Sequence, residues 1–378
     1  MVARVENVNV GVLRKCREQM ALDIVDVQKK VSSIEAIEAG EKYPTFKQLE
    51  ILAERYKVPR WVFISDELPE KYDFAKSVPA FRQFADQEPS DFSDWKIRGL
   101  VAQVERLRNL VIEIQEDLKE PLPLFEFPNL QNNLPINQFA KTVREWLKVD
   151  GNLPFPKWKE KLEQKGVFVF MTSKYSGWSH IDKRQFRGLS INYSTLPIII
   201  INNSDAKKAH SFTLLHELGH LIRKENAIDS WREQDGGVEK WCDQLAGAVL
   251  MPEEQFLKEV EHSKIKYIED VKKLSKKFHA SSYACLVRLR NLGVINQAVY
   301  SDFEEELQKE YSETKKVLKE QEKKISRNRP KEVFDQYGQI YIKSLFQAYY
   351  NKEIGLHKLC KSFDLKRVSQ VKELESKL

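Results

Sequence analysis

The sequence predicts a mainly α-helical protein with a small α+β part, and three observations predict this class. Amphipathic helical periodicity recurs along most of the 378 residues. Only three short apolar runs have the composition of strands, and all three lie between residues 166 and 202. Apolar residues make up 42% of the chain, which is enough to bury hydrophobic cores and argues against global disorder.

The first 67 residues predict a run of short helices. Helices are expected in VLRKCREQM, DIVDVQKKV, SSIEAIEAG and TFKQLEILAERYKV. Gly40 suits the position just after a helix end, and Pro44 with Thr45 suits the start of the next helix. The proline-containing stretch that follows, from residue 68 into KSVPAFRQF, predicts a linker.

A long amphipathic helix is predicted over residues 94–119, because apolar residues recur there at helical spacing. A second linker punctuated by prolines, EPLPLFEFPNLQNNLP, follows this helix. Helices are then expected in FAKTVREWL and FPKWKEKLEQKG. The three predicted strands come next in the chain, and they are GVFVFMT, RGLSINY and PIIIIN.

The helix after the strands is predicted in HSFTLLHELGHLI, which is apolar on one face. The polar run NNSD at residues 202–205 precedes it, and side chains of these types predict N-terminal capping. A polar loop leads to a second helix, EKWCDQLAGAVL, which ends before Pro252. A helix, turn, helix pattern is predicted over residues 267–294, then a charged helix over 302–324 and a small helical tail.

The net charge of +6 is unevenly distributed along the chain. The first 66 residues carry 11 Lys/Arg and 10 Asp/Glu, whereas residues 271–300 carry six Lys/Arg and no Asp/Glu. A basic patch of this kind can attract phosphate groups, although a short basic face is more often only solvated surface. The candidate nucleic-acid contacts in this patch are Lys272, Lys273, Lys276 and Lys277.

The composition also predicts a compartment. No apolar segment at the start resembles a secretory signal, and the longest aliphatic run, LPIIII, is too short to span a bilayer. Four cysteines are scattered without a CxxC pair, which is typical of reduced thiols rather than of a disulfide framework. We therefore expect a cytoplasmic protein that makes no membrane contact.

The HELGH segment contains two histidines four residues apart, His216 and His220, in a chain with seven histidines. Residues at this spacing lie on one face of a helix, so both imidazoles can bind one zinc ion. Glu217 lies beside them, where it could take a proton from a water. At this composition, about 0.02 occurrences of two histidines four residues apart, with an acidic residue directly after the first, are expected by chance in a chain of this length. Two ordinary core histidines are therefore the weaker interpretation.

A catalytic zinc usually takes a third protein ligand and leaves one position open. The helix EKWCDQLAGAVL offers Glu239 as that ligand and Asp243, one turn further on, as the acceptor of a histidine N–H. Both acids could instead face solvent on an amphipathic helix. Cys242 is a candidate for a soft metal, but we interpret it as a packing residue because it would compete with Glu239 for one helix face.

The segments FRGLSI, PIIIINNSDAKKAHSFTLLHELGHL and VEKWCDQLAGAVLMP together resemble the ImmA/IrrE family of zinc metallopeptidases, over about residues 166–252. The resemblance implies a zincin-like, gluzincin-type peptidase domain that holds one Zn²⁺ per chain. It implies that His216, His220 and Glu239 are the zinc ligands and that Glu217 is the catalytic base. Asp243 departs from the family, which usually has Asn at that position.

The stretch IEAGEKYPTFKQLEILAERYKVP resembles a Cro/C1-type helix-turn-helix domain, which often precedes the peptidase in this family. With a C-terminal helical extension, the predicted fold is thus mainly α, α+β, with a zincin-like domain in the middle. The predicted domains are the helix-turn-helix (8–67), a linker with a long helix (68–134), the peptidase (135–262), a basic helix-turn-helix-like module (263–300) and the extension (301–378).

If the chain is a peptidase, Glu217 passes the proton of the attacking water to the leaving amine, and a further hydrogen-bond donor stabilises the oxyanion. The candidate donors are Tyr175, His180 and Tyr193, among which the sequence does not choose.

The predicted recognition helix, SSIEAIEAG, carries Glu35 and Glu38 but none of the side chains that usually contact bases. DNA remains a candidate partner through the helix-turn-helix elements, and the N-terminal domain is equally a candidate for docking a protein.

Two functions therefore follow from the sequence. The first is a zinc endopeptidase that cleaves a regulatory protein, which the family resemblance identifies as a repressor or an antitoxin-like partner of a toxin–antitoxin type system. The second is a DNA-binding or antitoxin-like transcriptional regulator in which the zinc is structural. Intact HELGH favours the first function, because a structural zinc site has no need of Glu217.

Overall fold

The computed structural model describes most of the chain, and the two compact units into which the chain divides are described separately. The first unit contains residues 1–110 with 176–181, and the second contains residues 111–175 with 182–378. The described residues are 3–74, 94–128, 134–174, 179–181, 186–224, 236–263, 265–321 and 327–378. The predicted linker segment KSVPAFRQF and Tyr175 lie outside them.

The first unit begins with four short helices, as the periodicity predicts. They are α1 (Val10–Glu18), α2 (Ile24–Gln28), α3 (Ile34–Glu38) and α4 (Phe46–Tyr56). Gly40 has a positive φ of 77° just after α3, which ends that helix, and Thr45 forms a capping box with Gln48 at the start of α4. The long helix α5 (Asp94–Leu118) begins in this unit and ends within one residue of its predicted end.

The second unit is built from helices around one small sheet. In chain order its further elements are α6 (Ile136–Trp146), α7 (Phe155–Gln164), β1 (Phe168–Met171), β2 (Gly188–Ile191), β3 (Ile198–Ile201), α8 (His210–Arg223), α9 (Gly236–Leu250), α10 (Glu253–Ser263), α11 (Ile268–Lys277), α12 (Ser282–Asn291), α13 (Gln297–Gln321), α14 (Arg329–Tyr350), α15 (Leu356–Ser362) and α16 (Val368–Glu375). The predicted mainly α, α+β class is thereby confirmed.

The sheet has the strand order β1-β3-β2, with β3 parallel to β1 and antiparallel to β2. All residues of the three strands are buried, which explains why they read as apolar runs rather than as alternating patterns. Phe168 pairs with Ile198, and Gly188 pairs with Ile201. The HELGH helix α8 packs against β2 and β3, so the sheet supports the helix that carries the histidines.

The N-terminal capping predicted for α8 is wrong. The helix begins at His210, its cap residue is Ala209, and no side chain caps it. The buried Asn202 instead bridges other backbone segments: its Nδ2 donates to the Phe186 carbonyl at 2.9 Å, and its Oδ1 accepts from the Thr172 hydroxyl at 3.1 Å. Asn202 therefore fixes the end of the sheet. Among the described residues, no side chain caps the first backbone N–H groups of α8.

The C-terminal extension is helical, and α13 begins at Gln297, five residues before the predicted start at 302. In α14 the helix is broken at Gly338, which has φ 72° and ψ 176°. The freed N–H of Gln339 donates to Glu163 Oε2 at 3.0 Å, and Lys159 Nζ donates to the Asp335 carbonyl at 2.5 Å. The extension is thus attached to α7 through a buried pair of charged side chains.

No helix within the described ranges is long and apolar enough to cross a bilayer.

Candidate metal centre

The site is formed by two helices that pack closely, α8 and α9. Gly219 of α8 lies against Cys242 of α9, and a Cβ at Gly219 would lie only 2.9 Å from Cys242 Sγ. The glycine within HELGH therefore allows the second helix to approach. Cys242 is buried in this contact, in agreement with its interpretation as a packing residue.

The side chains of His216, His220 and Glu239 converge across this helix pair. The two histidine Nε2 atoms are 3.2 Å apart. His216 Nε2 lies 3.2 Å from Glu239 Oε2, and His220 Nε2 lies 3.1 Å from Glu239 Oε1. Three donor groups from sequence positions 216, 220 and 239 thus form a compact triangle.

This triangle fits a tetrahedral metal ion. Donor atoms about 2.0–2.1 Å from a tetrahedral zinc are about 3.3–3.4 Å from each other, close to the 3.1–3.2 Å observed. Glu239 Oε1 is buried and makes no well-formed hydrogen bond with any described residue, although His220 lies beside it. Two imidazoles and a carboxylate are also the donor types that zinc takes in hydrolases. The three residues therefore fit a zinc ion.

Asp243 lies where it can orient one of the histidines. His216 Nδ1 donates to Asp243 Oδ1 at 2.9 Å. With its proton on Nδ1, the neutral imidazole presents the lone pair of Nε2 to Glu239 and His220. The Asp243 side chain is 60% exposed, so water can replace part of this hydrogen bond.

Glu217 is buried next to the triangle. Its Oε2 has no hydrogen-bond partner among the described residues, and neither has the nearby Ser190 hydroxyl of β2, which acts to lower the pKa of Glu217. Burial raises the pKa of Glu217, against the opposing effect of the two histidines and of Ser190. A buried carboxylate that holds its proton more tightly than usual is suited to accept a proton from water near neutral pH.

Strand β2 reaches Glu217 because of a glycine. A Cβ on Gly188 would lie 2.5 Å from Glu217 Oε1 and 2.6 Å from Thr213 Cγ2. Only a glycine at this position leaves room for the carboxylate and for the Ser190 contact two residues further on. Both residues lie in the segment FRGLSI, but spacing along the sequence gave no sign that they would meet the HELGH helix.

The electrostatics of the triangle show what a cation would replace. Burial alone would lower the pKa of His216, but hydrogen bonds with Asp243 and Glu239 outweigh it and raise that pKa to about 10. For Glu239, burial acts to raise the pKa, yet the contacts with the two histidines lower it to about 2. A metal ion would take the place of the bound proton, so its binding near neutral pH should release protons.

The oxyanion candidates are in different environments. Tyr193 lies in the second unit and lines a cleft of about 1070 Å³ together with Trp241 of α9 and Leu221 of α8. His180 is grouped with the first unit, and Tyr175 is outside the described residues. Of the three, Tyr193 is the candidate that lines a cleft with residues of both α8 and α9, the two helices that carry the triangle.

The basic segment is largely compensated by carboxylates. Lys272 contacts Glu310 and lies 3.8 Å from Glu269. Lys273 pairs with Asp270 at 3.0 Å, and Lys277 with Glu259 at 2.5 Å. Lys276 is exposed and has no such partner among the described residues. The charge excess in the sequence is therefore smaller on the folded surface.

The exposure of the two glutamates on the predicted recognition helix, α3, also differs between them. Glu38 is 4% exposed and accepts from Arg17 Nε at 2.8 Å. Only Glu35 is on the outside, where Gln28 Nε2 donates to it at 3.1 Å. Glu38 is therefore not on the outer surface of this helix, because its carboxylate is paired with Arg17 inside the first unit.

Comparison with known proteins bears on the second unit. A family model described as the IrrE N-terminal-like domain, Peptidase M78, matches residues 162–290 and so includes the triangle, Glu217 and Asp243. This match confirms the family resemblance over the peptidase region and points to a metallopeptidase of this type; it does not extend to the N-terminal segment.

A transcriptional regulator from Mycobacterium tuberculosis is similar at 13% sequence identity with a TM-score of 0.30, and the similarity covers 48% of this chain and 51% of that chain. The chain thus spans about half the length of that regulator, and a likeness at this level establishes no shared function. No curated protein matches the sequence.

Proposed function

We propose that the protein is a zinc-dependent endopeptidase with one zinc ion per chain, held by His216, His220 and Glu239. The observation that carries the proposal is the convergence of these three side chains at 3.1–3.2 Å beside the buried Glu217. Asp243 acts as a positioning residue, since its hydrogen bond fixes the tautomer of His216.

The chemistry divides between the ion and the chain. When bound, zinc supplies Lewis acidity, which polarises a scissile carbonyl and acidifies water to a pKa near 7. Glu217 accepts the proton of the attacking water and delivers it to the leaving amine. Tyr193 is our candidate to donate to the oxyanion, with His180 and Tyr175 as alternatives.

The alternative function, a DNA-binding regulator with a structural zinc, is less well supported. Structural zinc sites are usually closed by four protein ligands, whereas three converge among the described residues. A structural ion also gives no reason to bury the Glu217 carboxylate, whose Oε2 has no partner in the described part of the chain. Burial of an unsatisfied carboxylate oxygen is costly, and it is typical of catalytic sites.

For the substrate we propose a regulatory protein in the cytoplasm, of the repressor or antitoxin type that the family resemblance implies. A cleft of the second unit supports binding of an extended peptide with bulky apolar side chains, since Phe127, Phe139 and Trp241 line it and Trp241 lies two residues after Glu239 in α9. Four cysteines that form no disulfide support a reducing compartment. In this proposal, DNA contact through the helix-turn-helix elements has one role, which is to bring the protease close to such a partner.

The proposal is tested by incubating the zinc-loaded full-length chain with a mixture of proteome-derived peptides and identifying new termini by mass spectrometry. We expect cleavage by the wild type, and Glu217→Gln should lower its rate by about 10²–10⁴-fold because the proton acceptor is lost. Zinc content should not change in that variant. Glu254→Gln removes an exposed carboxylate of α10 and should match the wild type. Equal cleavage by wild type and Glu217→Gln would contradict the proposal.

A further inference from the structure

A second cavity, of about 500 Å³, lies at the other end of α8. Its walls come from α7, β1, the segment before α8, α11 and α14, all within the second unit. Three of its polar lining residues are almost fully buried: Lys159, Glu163 and His210, which are 6%, 5% and 3% exposed. A cavity of this size is in the range that encloses small organic ligands.

The rim of the cavity is basic. Four exposed lysines line it, from three separate parts of the chain: Lys207, Lys208, Lys276 and Lys331. Unlike the other lysines of the basic segment, none of the four lies within 4 Å of a carboxylate oxygen in the described residues, although Lys207 and Lys331 are near enough to Asp335 to lower its pKa. With Lys159, the lining contains five lysines against three carboxyl groups. This excess of about two positive charges matches a phosphate monoester, which carries about −1.5 to −2 at neutral pH.

The start of α8 adds to this preference for an anion. His210 and Ser211, the first residues of the helix, line the cavity, and no side chain caps the helix there. Free N–H groups at a helix N-terminus favour an anion. The His210 imidazole interacts with the Asp205 and Asn202 backbone, but its Nε2 is buried without a hydrogen-bond partner in the described residues, so this nitrogen is left unsatisfied on the cavity side.

The remaining walls are apolar and aromatic. Phe155 of α7 and Phe334 of α14 are both partly exposed and line the cavity, as does Met171 of β1. Burial raises the pKa of Glu163 to about 7, against the effect of Lys159 and of the Gln339 N–H. At neutral pH this carboxyl group is therefore partly protonated and can donate or accept a hydrogen bond.

We propose that this cavity binds a small organic phosphate of mononucleotide size, with the phosphate against the lysine rim and the start of α8, and the ring against Phe155 and Phe334. The site gives a role to the C-terminal extension. Helix α14 contributes Lys331 and Phe334, and it lies outside the stretch that the family model matches. The inference does not depend on peptidase activity.

The test is isothermal titration calorimetry on the full-length chain with the four ribonucleoside 5′-monophosphates, the corresponding nucleosides and inorganic phosphate. At least one monophosphate should bind at least about tenfold more tightly than its nucleoside, because lysine–phosphate hydrogen bonds are charge-assisted. It should also bind more tightly than inorganic phosphate. Replacing both Lys207 and Lys208 with Ala should weaken it by about tenfold or more, and Phe334→Ala by about three- to tenfold.

The matched control replaces Lys141 and Lys366, two exposed lysines away from the cavity, with Ala; its affinity should equal that of the wild type. Failure of every monophosphate to bind at millimolar concentration would overturn the proposal. So would binding that the Lys207/Lys208 and Phe334 changes leave intact, because the ligand would then sit elsewhere. Equal affinity for inorganic phosphate, or displacement of the monophosphate by a short oligonucleotide that binds more tightly, would contradict a small-molecule site.

Discussion

The two ends of helix α8 differ in how their chemistry is assembled. The metal triangle draws on residues 216–243, carried by two helices that follow one another in the chain. The cavity at the helix start draws on residues 154–339, carried by five separate segments. The first arrangement depends on local helical spacing, whereas the second exists only after the C-terminal extension has docked on α7. The comparison indicates that one helix can contribute to both the proposed metal centre and the proposed ligand cavity, although their sequence signals differ entirely.

The largest effect on zinc affinity that we expect for a residue outside the triangle is at Asp243. Asp243→Ala removes the acceptor that fixes His216, and zinc affinity should fall by about 10–100-fold. Because the Asp243 side chain is 60% exposed, we expect the lower end of this range. Competition with a chelating dye measures the change.

Asp243→Asn is the matched control, since an amide oxygen can still accept from His216 Nδ1. It also introduces the residue usual in the family that this region resembles. We expect a loss of less than about threefold. Equal damage from Ala and Asn would mean that the carboxylate charge is what matters, and the positioning role would then be wrong.

Two helical glycines test how closely α8 and α9 must approach. Gly219→Ala forces a Cβ to within 2.9 Å of Cys242 Sγ and should lower the free energy of unfolding by about 1–3 kcal/mol. Gly247→Ala, in the same helix pair, meets no atom within 4 Å. It should raise the free energy of unfolding by about 0.5–1 kcal/mol, because alanine favours helix. Urea denaturation compares the two, and similar effects of both changes would refute the close-packing argument.

Helix periodicity predicts which residues share a helix face within the triangle. The approach of Glu239 to the two histidines instead depends on the packing of α9 against α8, which the sequence indicated only through the family resemblance. His216 and His220 lie one turn apart in any α-helix, as do Glu239 and Asp243. The prediction for residues 202–205 was wrong because Asn202 is used to fix the end of the sheet, a tertiary role that local capping rules do not include. Glu163 was missed for a similar reason, since a Lys-Glu pair at i, i+4 usually lies on the surface. Its burial depends on Gly338, 175 positions away in the chain, which only the tertiary fold brings close.

The pH dependence of protein stability tests the environment of Glu163, which lines the second cavity. Its pKa in the folded protein is about 7, above the value of about 4.3 expected in the unfolded chain. Between these two values the folded state binds more protons than the unfolded state, so stability should fall as pH rises from about 4.5 to 7. The contribution is on the order of 1–3 kcal/mol.

Glu163→Gln keeps an acceptor for the Gln339 N–H and removes the titration, so this part of the pH dependence should disappear. Glu160→Gln, on the same helix but partly exposed, is the control and should retain it. Thermal unfolding from pH 4.5 to 8 compares the three proteins. An unchanged pH slope in Glu163→Gln would show that the group does not titrate in this range.

The smallest effects should be on DNA binding. The sequence predicts that the basic segment, with Lys272, Lys273, Lys276 and Lys277, contributes more to non-specific binding than Arg14, Lys15 and Arg17. Since three of the four lysines contact carboxylates, we expect only Lys276→Ala to change the salt dependence, by about one in the slope of log affinity against log salt.

Retardation assays across a salt series measure this slope, and Lys273→Ala serves as the paired control. Tight, sequence-specific binding that is lost on replacement of Arg14 and Lys15 would instead identify the N-terminal unit as a DNA reader. Absence of binding by the wild type at moderate salt would favour the N-terminal unit as a protein-docking unit.

The most direct test of the metal centre is the zinc content of the purified chain, measured by mass spectrometry after dialysis against zinc at neutral pH. We predict about one zinc per chain for the wild type, with proton release on binding. His262→Ala, at an exposed histidine of α10, should leave that stoichiometry unchanged, and Glu239→Ala should retain little zinc because a third of the ligand set is lost. A wild type that binds no zinc, or a Glu239→Ala variant that binds as tightly as the wild type, would contradict the proposed site.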